Sequence, residues 1–123
     1  MPLRVKRIYD RPEKADGVRF LVDRLWPRGL SKEDAAIDEW IRDIAPSAGL
    51  RRWFGHKPDR WDGFCRKYAR ELKASRLTAT IRNLRKIARF TTVTLLYAAT
   101  DKERNNAVAL ASFLNKRKVS SVR

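Results

Sequence analysis

Apolar residues alternate with basic ones at the start of the chain and form two continuous runs further along it. In "LRVKRIYD" (residues 3–10) the alternation at Leu3 and Val5 is typical of a strand with one buried face. "VRFLVDRLW" (18–26) and "TTVTLLYAA" (91–99) contain consecutive apolar residues and are bounded by turn residues. Runs of this kind indicate strands that are buried on both faces. The pattern therefore predicts three strands.

Apolar residues at helical spacing predict helices between and after these strands. Residues 59–73 have one apolar stripe, formed by Trp61, Phe64, Cys65, Tyr68 and Leu72. A second helix is predicted from about residue 78, and a third over "DKERNNAVALASFLNKR" (101–117) with Asp101 as its N-cap. Shorter helical pieces are predicted at "SKED" (31–34) and "AGLRRWFGHKP" (48–58). "IDEWIRDIAPS" (37–47) also has helical spacing, but its assignment is ambiguous.

The order strand, strand, helices, strand, helix predicts a single three-layer α/β domain with a short, mainly parallel sheet flanked by helices. We place this domain at residues 1–115 and a basic tail at 116–123. Ligands of such sheets bind beyond the carboxyl ends of the strands. The segments expected there are "YDRP", "DRLWPRG" and "YAATDKERNN", which follow the three predicted strands.

Length and composition fit one cytoplasmic domain. The chain has 123 residues and 43% hydrophobic residues, no apolar run near the roughly 20 residues that span a membrane, and no signal-peptide pattern at its start. Cys65 is the one cysteine, so an internal disulfide is excluded. One histidine and one cysteine form no metal-ligand cluster, and neither long strand is followed by a glycine-rich cofactor loop. We therefore predict no metal, no cofactor and no membrane partner, while the sequence indicates no oligomeric state.

The net charge of +15 is concentrated in the middle of the chain. Residues 51–92 contain 13 basic and 3 acidic side chains. Many of these cations fall on the outer faces of the helices predicted within residues 59–89, which could contact a phosphate backbone. A noncatalytic nucleic-acid-binding module is therefore one interpretation, although nonspecific binding is expected of any protein this basic. The other interpretation of these charges is a solvated face.

Two arginines flank a tryptophan and a proline just after the second predicted strand. Arg24 and Arg28 could clamp a phosphate or carboxylate, because guanidinium groups bind such anions bidentately. Trp26 could supply a stacking surface beside them. The structural alternative is an internal ion pair between Asp23 and Arg24, with Trp26 packing the loop. A protein without a ligand would present a flat surface here instead of a pocket.

Two further side chains are candidates for the same site. His56 is the only histidine, and an imidazole suits proton transfer near neutral pH, so it is the candidate catalytic residue. Its alternative role is that of a loop histidine bonded to the backbone. Asn105 could orient a ligand at the start of the last helix, or it could satisfy nearby backbone groups.

The motifs "VDRLWPRG", "DEW", "APS", "LRRWFGH" and "TLLYAATD....NNA" together resemble domain-of-unknown-function family 488, in its YeaO-like branch. The resemblance extends from about residue 4 to 115 and implies a small single-domain cytoplasmic α/β protein without implying a known reaction. The family often has Asn-His-Ala where this chain has Asn105, Asn106 and Ala107. The chain therefore lacks a titratable imidazole at that position. We expect a small anionic ligand at the strand ends, and nucleic-acid binding is the alternative.

Overall fold

The computed structural model describes residues 3–116, and these form four strands and five α-helices. The strands are β1 (Leu3–Arg7), β2 (Val18–Leu21), β3 (Glu39–Trp40) and β4 (Val93–Tyr97). The helices are α1 (Lys32–Ala35), α2 (Ala48–Phe54), α3 (Trp61–Leu72), α4 (Thr78–Phe90) and α5 (Asn106–Asn115). Short 3₁₀ turns lie at Lys14–Asp16, Arg42–Ile44, Pro58–Arg60 and Ser75–Leu77.

The four strands form one parallel sheet in the order β1-β4-β2-β3. β4 lies between the first two strands, pairing Val5 with Leu95 on one side and Phe20 with Leu95 on the other. β1 and β2, which come early in the chain, are thus joined by β4, which comes after helix α4. All four carboxyl ends lie at one edge of the sheet, which is where ligands of open parallel sheets bind.

Alternate residues of the central strands pack against two unequal layers. Phe20, Val22, Val93 and Leu95 belong to a large core with the buried faces of α2 to α5. On the opposite face, the buried apolar side chains are Ile8, Leu21, Ala35 and Leu96, and half-buried Trp26 and Trp40 pack against them. The sheet is therefore covered on both faces, as expected for a single α/β domain.

A close approach between β2 and β4 requires glycine at position 17. Gly17 has a φ of 66°, in the left-handed region that glycine adopts readily. A Cβ there would overlap the carbonyl oxygen of Thr92. The same loop presents Asp16, whose carbonyl accepts a hydrogen bond from the Thr94 hydroxyl at 2.7 Å. This loop is fixed against the central strand at the amino edge of the sheet.

Two local predictions differ from the structure. The helical interpretation of residues 37–47 is wrong, because Glu39 and Trp40 pair with β2 and a 3₁₀ turn follows them. Strand β2 ends at Leu21, earlier than the predicted segment 18–26, because the backbone then turns to form the strand-end loop. None of the described helices has the length and apolar character needed to cross a membrane.

Candidate functional site

A pocket of about 500 Å³ lies beyond the carboxyl ends of the strands. Its lining comes from five segments: Tyr9 shortly after the end of β1, the loop after β2, helix α2 with its flanking residues, Phe64 of α3, and the segment from the end of β4 to the first residue of α5. All five side chains that the sequence singled out line it, namely Arg24, Trp26, Arg28, His56 and Asn105. Three strand-end segments thus meet at one concavity, as their positions after the strands predict.

Among the described residues that line this pocket, Asp23 is the one with a carboxylate side chain. Its Oδ2 accepts a hydrogen bond from the backbone N–H of Ala98 at 3.0 Å, and its Oδ1 accepts one from Nδ2 of Asn106 at 2.9 Å. Burial raises the pKa of Asp23 above its ordinary value, although both hydrogen bonds and the charge of Arg51 oppose that shift. Asp23 therefore joins the loop after β2 to the loop after β4.

The side-chain amide of Asn106 is hydrogen-bonded to the segment that follows β2. Nδ2 donates to the Val22 carbonyl at 3.0 Å as well as to Asp23. An amide does not titrate in the physiological range, so this position holds the two loops together without exchanging a proton. The motif comparison drew attention to Asn106, and the structure shows that its side chain donates a hydrogen bond to Asp23.

The guanidinium group of Arg24 is fixed by backbone carbonyls. Nε donates to Pro46 at 3.2 Å and Nη2 donates to Ala45 at 3.3 Å. The ion pair between Asp23 and Arg24 that was the structural alternative is not formed within the described residues. Arg24 instead connects the loop after β2 to the segment that precedes α2.

Arg28 lies at the pocket mouth with an exposed side chain. Its backbone is held in place, because the Tyr9 hydroxyl donates to the Arg28 carbonyl at 2.8 Å. The next residue, Gly29, has a φ of 74°, in the left-handed region that glycine adopts readily. The loop geometry thus fixes where the Arg28 side chain begins.

Trp26 anchors the loop through its indole ring. Its indole Nε1 donates to the Leu30 carbonyl at 2.6 Å, and its ring packs edge-on against Trp40 with centroids 5.4 Å apart. These contacts agree with the packing role that was weighed against stacking. Leu25 beside it is 59% exposed and lines the pocket.

Asn105 is the N-cap of α5, and the prediction that Asp101 caps this helix is wrong. Oδ1 of Asn105 accepts from the backbone N–H of Val108 at 2.9 Å, while its Nδ2 donates to the Asp101 carbonyl at 3.0 Å. Asp101 accepts from the N–H groups of Glu103 and Arg104 in the preceding turn, and these bonds lower its pKa. The helix begins later than predicted because Asn105 supplies the cap: its side chain accepts from the backbone N–H of Val108, which has no partner within the helix.

His56 is exposed at the rim and has a φ of 56°, which is uncommon for a residue other than glycine. It follows Gly55, the left-handed residue that ends α2. Its ring lies beside Phe54, with centroids 6.1 Å apart. The assignment of His56 as a proton carrier remains a prediction.

Three lining arginines were not singled out from the sequence. Arg51 and Arg52 come from α2, and Arg104 comes from the segment before α5. Arg104 contacts Asp101 at 3.4 Å, whereas no carboxylate among the described residues lies within 4 Å of the Arg51 or Arg52 guanidinium. The "RR" pair was visible within the motif "LRRWFGH", but a short helix gives too few positions to tell which side faces a site.

Residues 3–116 contain no group of three or more histidine, cysteine or acidic side chains that could hold a metal ion. Cys65 is half-buried on α3, and this burial, together with the charge of Asp62, raises the pKa of its thiol. A thiol with a raised pKa is a poor nucleophile and a poor metal ligand. The polar side chains that line the pocket carry guanidinium, amide, imidazole, carboxylate and phenol groups.

Comparison with known proteins assigns the chain to a family. A family model described as the inactive DUF488-N3 subclade matches residues 2–121. An uncharacterised protein of Mycobacterium tuberculosis is 41% identical over 115 residues, which cover 94% of this chain and 95% of the relative. The uncharacterised protein YeaO of Escherichia coli is 41% identical over 114 residues, covering 93% and 97%. No solved structure has a significant match. The chain belongs to the YeaO-like branch of the DUF488 family, which confirms the resemblance in its motifs.

Proposed function

We propose that the pocket beyond the strand ends binds a small anionic ligand carrying a phosphate or carboxylate group. The observation that carries this proposal is the charge of the lining. Five arginines line the pocket, at positions 24, 28, 51, 52 and 104, against the single carboxylate of Asp23. Clefts lined by one sign of charge concentrate the potential and raise the local concentration of ions of the opposite sign.

The contacts of these residues support a preorganised anion site. Arg24 is held by two backbone carbonyls, so little side-chain freedom is lost when it binds a ligand. The carboxylate of Asp23 already accepts two hydrogen bonds, so it is not needed as a partner for the arginines. Guanidinium groups are suited to this task because their planar N–H pairs match the oxygens of phosphate and carboxylate.

We propose binding rather than conversion of the ligand. The side chain that donates to Asp23 in the pocket is the amide of Asn106, and an amide cannot accept and release a proton there. The matching family model is described as inactive, which agrees with a binding role. A converting site would depend on His56, the lining side chain whose type suits proton transfer near neutral pH.

The test is isothermal titration calorimetry of wild type, Arg28→Ala and Arg82→Ala with inorganic phosphate and malonate at low and moderate salt. Arg82 is an exposed arginine of α4, so its variant matches the change in net charge while leaving the pocket intact. We expect Arg28→Ala to weaken binding of the probe about tenfold, as loss of a charge-assisted hydrogen bond does. Equal affinities in all three proteins, or heats that disappear at moderate salt, would remove the proposal.

The basic surface of α4 favours a second candidate function, nucleic-acid binding. Residues 72–100 contain no aspartate or glutamate. Arg82, Lys86 and Arg89 are exposed on α4, and no carboxylate within residues 3–116 lies within 4 Å of their charged groups, whereas Arg85 donates to the carbonyls of Phe113 and Leu114. Under this alternative a 12-nucleotide single strand binds wild type, Arg82→Ala weakens it, Arg28→Ala does not, and affinity falls steeply with salt. Comparing how wild type, Arg28→Ala and Arg82→Ala bind the anions and the single strand thus separates the two candidates.

A further inference from the structure

The pocket is larger than a bare anion requires. Its volume of about 500 Å³ lies within the range of roughly 300–1,000 Å³ that is typical of sites for organic small molecules. A phosphate or carboxylate group in contact with the arginines would leave most of this space to the rest of the ligand. The lining residues other than the arginines therefore indicate the chemistry of the uncharged part of the ligand.

Apolar side chains make up much of the remaining lining. Leu25, Trp26 and Pro27 come from the loop after β2, and Phe54 and Phe64 come from α2 and α3. Phe54 and Phe64 are nearly fully buried and stack on each other, with centroids 4.6 Å apart. The pocket thus combines arginine side chains with a rigid apolar wall.

Leu25 is the exposed member of this apolar set. It is 59% exposed, although the preceding Arg24 and the following residues of its loop are held by hydrogen bonds. Trp26 is bonded to Leu30, and the carbonyl of Arg28 accepts the Tyr9 hydroxyl. A leucine held at a pocket mouth by an anchored loop presents apolar surface that burial by a ligand would stabilise.

We infer that the ligand of this pocket is an organic anion with an apolar body, whose charged group contacts the arginines and whose body packs against Leu25. This inference rests on the function proposed above and extends it from an anion to a ligand class. Specificity for such a ligand comes from the apolar contact, because the arginines alone would accept any small phosphate or carboxylate.

The test compares probes that share a charged group and differ in the apolar body. Calorimetric titrations use inorganic phosphate against phenyl phosphate, acetate against benzoate, and phenol as the neutral probe. We expect each aromatic anion to bind roughly tenfold or more tightly than its small counterpart, because the ring removes apolar surface from water. The phosphate and carboxylate pairs show which charged group the site prefers.

Variants locate the apolar contact. In Leu25→Ser the affinity ratio of phenyl phosphate to phosphate should fall severalfold towards one. Phe90→Ser is the matched control, since Phe90 is 79% exposed at the end of α4 and does not line the pocket, and it should keep the wild-type ratio. If Leu25→Ser is folded by circular dichroism and its affinity ratio of phenyl phosphate to phosphate equals that of wild type, the ligand does not pack against Leu25 and the inference is wrong.

The outcomes separate this inference from the proposed function. If phosphate binds and phenyl phosphate binds no more tightly, the anion site stands and the inference on the ligand class fails. If phenol binds as tightly as phenyl phosphate, the arginines contribute nothing and the proposed function fails. If phenyl phosphate binds more tightly than both phosphate and phenol, and Leu25→Ser removes that advantage over phosphate, the inference holds.

Discussion

Replacing Asp16 by asparagine should destabilise the protein more than any exposed acid-to-amide change. Asp16 is fully buried at the amino edge of the sheet. Its carboxylate accepts hydrogen bonds from Lys6 Nζ at 3.0 Å, from the Arg19 guanidinium and from the backbone N–H of Glu13. Arg19 is itself only 5% exposed, so the two ions that face each other are both out of water. Asp16 is the carboxylate that faces Arg19, whereas the exposed Glu13 carboxylate reaches only Lys6.

The expected loss follows from what the substitution leaves behind. Asparagine keeps the size of Asp16 but leaves the Arg19 guanidinium buried without a negative partner, although the Ala35 and Ala36 carbonyls still accept from it. Removing one partner of a buried ion pair destabilises by about 3–5 kcal/mol. For a domain of this size that loss corresponds to a melting temperature lower by roughly 10–20 °C.

Urea unfolding followed by circular dichroism at pH 7 measures this loss. Asp43→Asn is the control, because Asp43 is exposed on the 3₁₀ turn Arg42–Ile44 and should change the free energy of unfolding by less than about 0.5 kcal/mol. A loss below about 1 kcal/mol for Asp16→Asn, at an unchanged denaturant slope, would refute the reasoning that this carboxylate neutralises the buried cations.

The pH dependence provides an independent check of the same cluster. Burial by itself would raise the pKa of Asp16, but the hydrogen bonds from Glu13, Lys6 and Arg19 outweigh it and lower the pKa below its ordinary value of 3.8. An acid with a lowered pKa contributes stability that is fully present above its unfolded pKa and is lost as the pH falls through the folded one. The difference between wild type and Asp16→Asn should therefore be constant from pH 7 to about pH 5 and shrink below about pH 4. A difference that stays constant to about pH 2.5 would contradict the assignment.

Two further predictions concern the pocket. Because burial raises the pKa of Asp23, lowering the pH neutralises this carboxylate before ordinary aspartates, and the affinity for sulfate should rise severalfold as the pH falls towards 4. Calorimetry in the His56→Gln background, which removes the imidazole from the comparison, checks this, and a flat profile would contradict it. For the choice between binding and conversion, we expect phosphorus NMR to detect no product from phenyl phosphate with wild type or His56→Gln. Product formed by wild type and lost in His56→Gln would instead assign proton transfer to His56.

The sequence predicted the elements whose own residues determine them. The apolar stripe of α3 and the β-branched run of β4 both form as expected, because they bury a face that is continuous in the sequence. The two-residue strand β3 was missed, since Glu39 and Trp40 are extended only through pairing with β2. That pairing is a tertiary contact, and helical spacing in the surrounding residues concealed it.

The candidate site divides in the same way. The sequence placed Arg24 and Arg28 at this pocket because they belong to the loop that follows β2, and the fold places all strand ends at one edge. Arg51 and Arg104 were missed because their place in the pocket depends on how α2 and the loop before α5 pack across that edge. Asn105 was found, but as an orienting residue, whereas both of its polar groups bond the backbone around the start of α5.

The two edges of the sheet differ in how their charges are compensated, and this difference favours a binding role for the pocket. At the amino edge, buried Asp16 forms ion pairs with Lys6 and Arg19, so these two cations have a role in stabilising the fold. At the carboxyl edge, Asp23 is bonded to amide groups and leaves the lining arginines with a large excess of positive charge. Solubility alone would be served equally well by arginines on convex helix faces, which this chain has in α3 and α4. Gathering like charges in a concave pocket disfavours the empty protein, and an anion bound among them removes that repulsion.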